Sequence, residues 1–382
     1  MPQARMVSLA VRAALAKDAT QNLPGTPTVS TLRKIAKSEK EKEQKALIQT
    51  FIKDDLFRVC ERVRQWLLFI HDANPSKSGA KPSGLLPVHI TSIAIDSREV
   101  YLLLLHFAKR MNGNKEPDGW NKTMQALATI LHWFSVDKTK VVNRVYASCR
   151  DEQNMTTGNI RAAIMEAISK GELYPIHTPE AVKMFVQLPA ADLKNWSWWL
   201  PILGDGKEDG IIKRRKEWEG FLNVFRSNRE LLLYAQRDFL SWRFSDYDPA
   251  RKDLWEAHNR PWDFDHILAS YYFYNRKDGS DFRIVCGQWG NTIGNLRAWP
   301  FEDNRSDKDD TADAKIKGDK DHENSFLTPG EKDAFSGGDK TRGDEATARA
   351  FADNCRGRLL RIYREWYESV GIAELVPPCE NN

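Results

Sequence analysis

Residues 51–70, FIKDDLFRVCERVRQWLLFI, place Phe51, Ile52, Leu56, Val59, Val63, Trp66, Leu67 and Ile70 mostly three or four positions apart. That spacing follows the period of an α-helix, about 3.6 residues, and commits one face of the helix to burial against other elements. Similar patterns run through REVYLLLLHFAKRM, NKTMQALATILHWF and TTGNIRAAIMEAISKG, with Asn121 and Thr157 near the predicted helix starts. Helix packed on helix is the expected architecture up to about residue 245.

A chain of 382 residues can bury a large core and has room for two or three units. Its 41% hydrophobic and 29% charged content is that of a globular protein and not of a disordered one. The 57 basic and 53 acidic residues nearly balance, at a net charge of +4, so a phosphate-binding surface has to come from local clustering. Five scattered cysteines, Cys60, Cys149, Cys286, Cys355 and Cys379, form no C-x-x-C pair, which argues for reduced thiols in a cytosol and against a zinc ribbon or a disulfide framework. No apolar run approaches the roughly 20 residues that span a bilayer. In MPQARMVSLAVRAALAKDAT, Arg12 and Lys17 interrupt what would otherwise mimic a signal peptide, so the segment reads as a helix of a cytoplasmic protein with no membrane partner.

Residues 1–50 form an N-terminal helix followed by a turn-rich patch, NLPGTPT, and the charge run KIAKSEKEKEQK, a solvated helix face. A helical recognition or regulatory region covers 51–245, interrupted by a Pro-, Gly- and Ser-rich loop at 73–84. Its densest aromatic tract, NWSWWLPIL at 195–203, serves core packing more readily than base stacking. In KRRKEW, Lys213, Arg214 and Arg215 are candidates for phosphate contact and equally suit a solvated helix start. That helix is predicted to continue through NRELLLYAQRDFLSWRF to about residue 244, and SDYDPARKDL then marks a boundary. Beyond it come short strand-like pieces, a charged, loop-rich stretch from 303 to about 345, and a last helix with Phe351, Leu359, Ile362, Tyr363 and Trp366 available to pack.

Three pieces of the 246–382 region belong together: WDFDHI at 262–267, NTIGNLRAW at 291–299 and EDNRSDKDD at 302–310. Alternation in the first two predicts strands, and Asp303 or Asn304 suits the N-cap of a helix running through Lys308. Hydrolysing a phosphodiester needs a base for water and positive charge for the phosphate and the leaving oxygen. A hard cation such as Mg²⁺ takes oxygen ligands and keeps several waters, so a carboxylate and an amide oxygen suffice from the protein. Asp265 and Asn304 supply them, and neutral His266 beside the carboxylate can accept a proton from water.

These residues resemble the HNH, or ββα-metal, endonucleases. The family's pattern is Asp-His at the end of a first strand, Asn on a second, and a metal-binding His or Asn on the helix. Asp265-His266, Asn295 and Asn304 match it, and the run DHI, then I-G-N-L, then D-N-R is most similar to the C-terminal nuclease domain of GmrSD-type restriction proteins, over roughly 246–370. The family usually has proline two positions after the Ile of DHI, where this chain has Ala269; that removes a rigid turn and no catalytic atom. The insertion YYFYNRKDGSDFRIVCGQW between the strands is long.

The resemblance implies Mg²⁺ or Mn²⁺ on Asp265 and Asn304, His266 as the base, and Asn295 bracing the loop that carries it. Asp263 shares the strand face of Asp265, and Arg305 and Lys308 are further candidates for holding phosphate, with ordinary surface charge as the rival reading. The family's D-G-Q-Q-R-type nucleotide motif and a Walker A sequence are both missing, so nucleotide control would fall to a separate regulatory protein. The expected fold is α+β, mainly α: a helical N-terminal region followed by a ββα nuclease that cuts DNA in restriction or defence against phage. A nucleic-acid-binding module with a degenerate nuclease fold, and a helical interaction scaffold, are the alternatives.

Overall fold

In the computed structural model the 51–70 stripe turns inward through two kinds of helix. Phe51–Asp55 form one wide π turn and Leu56–Leu67 continue as α-helix. Phe51, Val59, Val63, Trp66 and Leu67 are buried, but the wider turn leaves Ile52 exposed. The structure describes residues 3–16, 22–69, 83–111, 116–150, 152–186, 220–251, 260–274, 287–307, 310–331, 335 and 345–377. Ile70, the aromatic tract at 195–203 and the basic run with Lys213, Arg214 and Arg215 lie outside them. Among the described residues the chain is mainly helical with one two-stranded sheet, an α+β fold dominated by helix. It divides into two units, Met1–Tyr174 with Val370–Asn382, and Pro175–Ser369.

The first unit is built around Arg98–Arg110 and Trp120–Phe134, which bury residues on all sides, as a helix in the middle of a bundle must. Leu56–Leu67 packs on both. There Trp66 meets Trp120 edge-on at 6.2 Å, and Gln125 Nε2 donates to the Trp66 carbonyl at 2.8 Å. Lys138–Ser148 packs on Thr157–Ser169, with Arg144 reaching Glu172 at 2.9 Å and Glu166 at 2.6 Å. Thr156, one residue before the predicted Thr157, caps the latter helix, its hydroxyl accepting from Asn159 N at 3.1 Å. Gly84, at φ +135°, is needed where Leu68 pairs with Leu85: a Cβ there would lie 2.5 Å from Phe69 Cα. No helix among the described residues is long and apolar enough to cross a membrane.

The second unit contains strand β1, Trp262–His266, and strand β2, Leu296–Pro300, paired antiparallel with Asp265 opposite Arg297 and His266 opposite Leu296. The helix Phe301–Asp307 follows directly and packs on both strands, so the order is strand, strand, helix. The long helix Glu345–Ser369 buries Phe351, Leu359, Ile362, Tyr363 and Trp366, the stripe read from its spacing.

Two expectations change here. The helix predicted to run unbroken to 244 is instead a helical segment at 220–227, then Arg229–Ala235 and Arg237–Arg243. Asn228 restarts it by accepting from Glu230 N at 3.1 Å. Gln236 breaks it again beside β2, where its amide accepts from Ala298 N at 2.8 Å and donates to Ala298 O at 3.3 Å. Residues 220–243 belong to the same unit as the strands. Finally, the charged stretch after 303 holds Ala312–Lys315, Gly318–Asn324 and a 3₁₀ turn at Pro329–Glu331. Its charges are partly internal, since Lys315, His322 and Glu331 are buried and Glu331 pairs with Arg361.

His106, fully buried in the first unit and edge-on to Tyr146 at 4.8 Å, makes the stability of the fold pH-dependent. Burial is the main cause that lowers its pKa to about 4, partly offset by the Arg150 backbone. An unfolded imidazole takes up its proton near pH 6.5, so the stability is fully present above about 6.5 and is lost as pH falls towards 4, by about 3 kcal/mol in total. His106→Phe is expected to flatten that part of the pH profile in urea unfolding measured between pH 7 and 4.

Candidate functional site

The alternation of β1 sends its residues to two faces. Asp263 and Asp265 share one; Trp262, Phe264 and His266 share the other. Asp265 is 4% exposed and both of its carboxylate oxygens are held: Arg297 Nε donates to Oδ2 at 2.8 Å and Lys315 Nζ to Oδ1 at 2.9 Å. Lys315 also donates to the His266 carbonyl at 3.1 Å. The fully buried Arg297 continues to Asp307 at 3.4 Å and to Ser325 Oγ at 3.3 Å, and lies over the Trp299 ring at 4.0 Å. Burial pushes the Asp307 carboxyl above its ordinary range, with the Arg297 charge opposing the shift. Two carboxylates and two cations thus form a charge-balanced group beneath the hairpin.

His266 stands at the end of β1, part-exposed, with Nε2 3.2 Å from Asn291 Oδ1. Burial lowers its pKa, with the Asn291 hydrogen bond and the Asp265 charge opposing, and with Lys315 and Arg229 adding to the shift. The ring is therefore neutral at neutral pH, the state in which imidazole accepts a proton.

Asn295 explains how the loop after His266 keeps its shape. Its Oδ1 accepts from Leu268 N at 2.9 Å, and its Nδ2 donates to Leu268 O at 3.1 Å and to Gly290 O at 3.0 Å. Its own carbonyl takes the Ile267 N–H at 2.8 Å. The side-chain amide makes three backbone hydrogen bonds, so Asn295 holds the loop after His266. The preceding Gly294 has no room for a side chain: a Cβ would lie 2.4 Å from the Cys355 carbonyl oxygen. Arg358, buried in the long helix, donates to the carbonyls of Ile293 at 2.7 Å and Gly294 at 3.0 Å and so fixes the same turn.

Asn304 is not an N-cap. The helix begins at Phe301, immediately after β2, which places Asn304 at its fourth residue. Asn304 Nδ2 points to Asp263 Oδ2 at 3.4 Å, while Asp265 is engaged by Arg297 and Lys315. As folded, Asp265 and Asn304 do not fit a shared divalent cation: such an ion would have to compete with two cations already bound to one buried carboxylate. Among the described residues no group of three or more His, Cys, Asp or Glu side chains is placed to hold a metal. Arg305 is exposed, its guanidinium 5.2 Å from the Phe301 ring centroid, and Lys308 lies outside the described residues.

The sequence reading missed Arg297 and Lys315. Arg297 had a usable signal, since a two-residue step along β2 from Asn295 puts it on a known strand. Lys315 had none, because it sits in the stretch expected to be loop. Two measurements follow. Asp265→Asn strands Arg297 and Lys315 beside an amide and is expected to cost about 3–5 kcal/mol in urea unfolding, whereas His266→Ala, losing a neutral hydrogen bond, costs about 1 kcal/mol. Lys315→Met uncovers one Asp265 oxygen, so Mn²⁺ titration followed by electron paramagnetic resonance is expected to show tighter binding in the variant than in the natural protein.

No family model, curated protein or solved structure matches the chain.

Proposed function

We propose that the second unit is an endonuclease of the HNH kind, hydrolysing phosphodiester bonds in DNA with His266 as the general base. The observation that supports this reading best is His266 itself: a neutral imidazole at the end of the first strand of a strand–strand–helix unit, its ring oriented by Asn291 and its loop held by Asn295. With Nε2–H donating to Asn291 Oδ1, the neutral ring keeps its lone pair on Nδ1, and Nδ1 takes the proton of an attacking water, while Asn295 keeps the 267–268 backbone from carrying the base away. The resemblance implies Mg²⁺ or Mn²⁺, which would supply positive charge at the phosphate, but Asp265, held by Arg297 and Lys315, does not fit that ion as folded. A place in restriction or anti-phage defence, in the cytoplasm, follows from the resemblance alone.

The closed ion-pair group on Asp265 favours a second reading, a module that binds nucleic acid without cutting it. The two readings separate on plasmid DNA incubated with Mg²⁺, with Mn²⁺ or with EDTA. The nuclease reading expects nicked or linear product from the natural protein and a rate lower by ~100-fold or more for His266→Ala, with its melting temperature lowered by only a few degrees. Equal cutting by both would remove His266 from the mechanism. No cutting by either on DNA or RNA, with binding retained, would establish the second reading.

A further inference from the structure

Two guanidiniums gather over one aromatic ring on the face of β1 that carries His266. Arg229 Cζ and Arg260 Cζ each lie 4.8 Å from the Phe264 ring centroid. Arg229, exposed, opens the helix Arg229–Ala235, and Arg260, part-buried, precedes β1 and is tied down by donating from Nε to the Trp262 carbonyl at 3.0 Å. Neither forms an ion pair with a carboxylate among the described residues. Asp263 acts on Arg260 only as a nearby charge, and lies on the opposite strand face.

The grouping sets two positive charges against one ring, with Asp263 on the other strand face as the nearest opposing charge on Arg260. Arg229 is close enough to act on both Arg260 and His266, in each case disfavouring the protonated form. Like charges held this close cost free energy unless an anion joins them. Stacking on Phe264 fixes the guanidiniums while leaving N–H donors on their edges, and the planar donor fork matches phosphate oxygens. Asp265, by contrast, is ion-paired with Arg297 and Lys315, whereas neither Arg229 nor Arg260 has a carboxylate in ion-pair contact among the described residues.

We infer that Arg229 and Arg260 form an anion site for a phosphodiester of a nucleic-acid backbone, held beside His266. Its bearing on cleavage rests on the nuclease reading above; anion binding itself does not. The site joins residues more than one element apart in sequence, the start of a helix and the entry to β1.

The test is binding, measured by fluorescence anisotropy with a labelled DNA duplex and a labelled single strand, in full-length His266→Ala protein so that no substrate is consumed. Arg229→Gln and Arg260→Gln are each expected to weaken binding roughly tenfold at ~0.15 M salt, and the double variant to flatten the slope of log affinity against log salt by about 2. Arg→Lys at either position keeps most of the slope, which a merely structural arginine would not show. Inorganic phosphate should compete in the His266→Ala protein at lower concentration than in the double variant, whereas no competition with the slope change intact assigns the site to polymer backbone alone. An unchanged affinity and slope in the exposed-site variant Arg229→Gln, with its melting temperature preserved, overturns the inference even if the Arg260 variant fails to fold. Failure of the two readings is distinguishable: a protein that cuts nothing but keeps the arginine-dependent slope retains the anion site and loses the nuclease, and one that cuts normally without either arginine retains the nuclease and loses the anion site.

Discussion

The hairpin of the second unit depends on one buried guanidinium. Arg297 has no exposed surface, yet it carries a full charge into the layer between the strands and the segments that follow them. It is tolerated because every direction it faces is answered: Asp265 across the strand pair, Asp307 on the following helix, Ser325 beyond, and the Trp299 ring beneath. A buried charge is held only with such a full set of partners, and removing one partner costs more than the pair contributes. Lys315 completes the group from a further short helix and ties the His266 carbonyl to it. The position of the candidate base is therefore set by ion pairs beneath it and by the Asn295 amide beside it.

Much of this was legible in the sequence. The period-two pattern in WDFDHI located β1 to within a residue, and the apolar stripe of the last helix named the side chains that are buried. I-G-N-L was legible only through its resemblance to the HNH pattern; in the fold Gly294 admits the Cys355 carbonyl and Asn295 fills backbone hydrogen bonds of Leu268. What could not be read depends on residues distant in sequence. Gln236 breaks a helix of good helical composition because β2 offers its amide two backbone partners some 60 residues later, and no periodicity contains that fact. Lys315 and Glu331 looked like solvated charge for the same reason: their burial is set by Asp265 and by Arg361, not by their neighbours in the chain.

The two faces of β1 show how a small sheet can divide chemical roles. Odd-numbered residues, Asp263 and Asp265, face the helix Phe301–Asp307 and the buried cations; their negative charge is consumed in holding the unit together. Even-numbered residues, Phe264 and His266, face Arg229 and Arg260, where positive charge is gathered without a paired carboxylate among the described residues. A shift of one residue in register would exchange the two sets and destroy both. The ion pair of Asp265 with Arg297 across the strands opposes that shift, because a one-residue slip would send the two side chains to opposite faces and break it. The same ion pair that closes one face to a divalent cation thus keeps the base and the arginines together on the other.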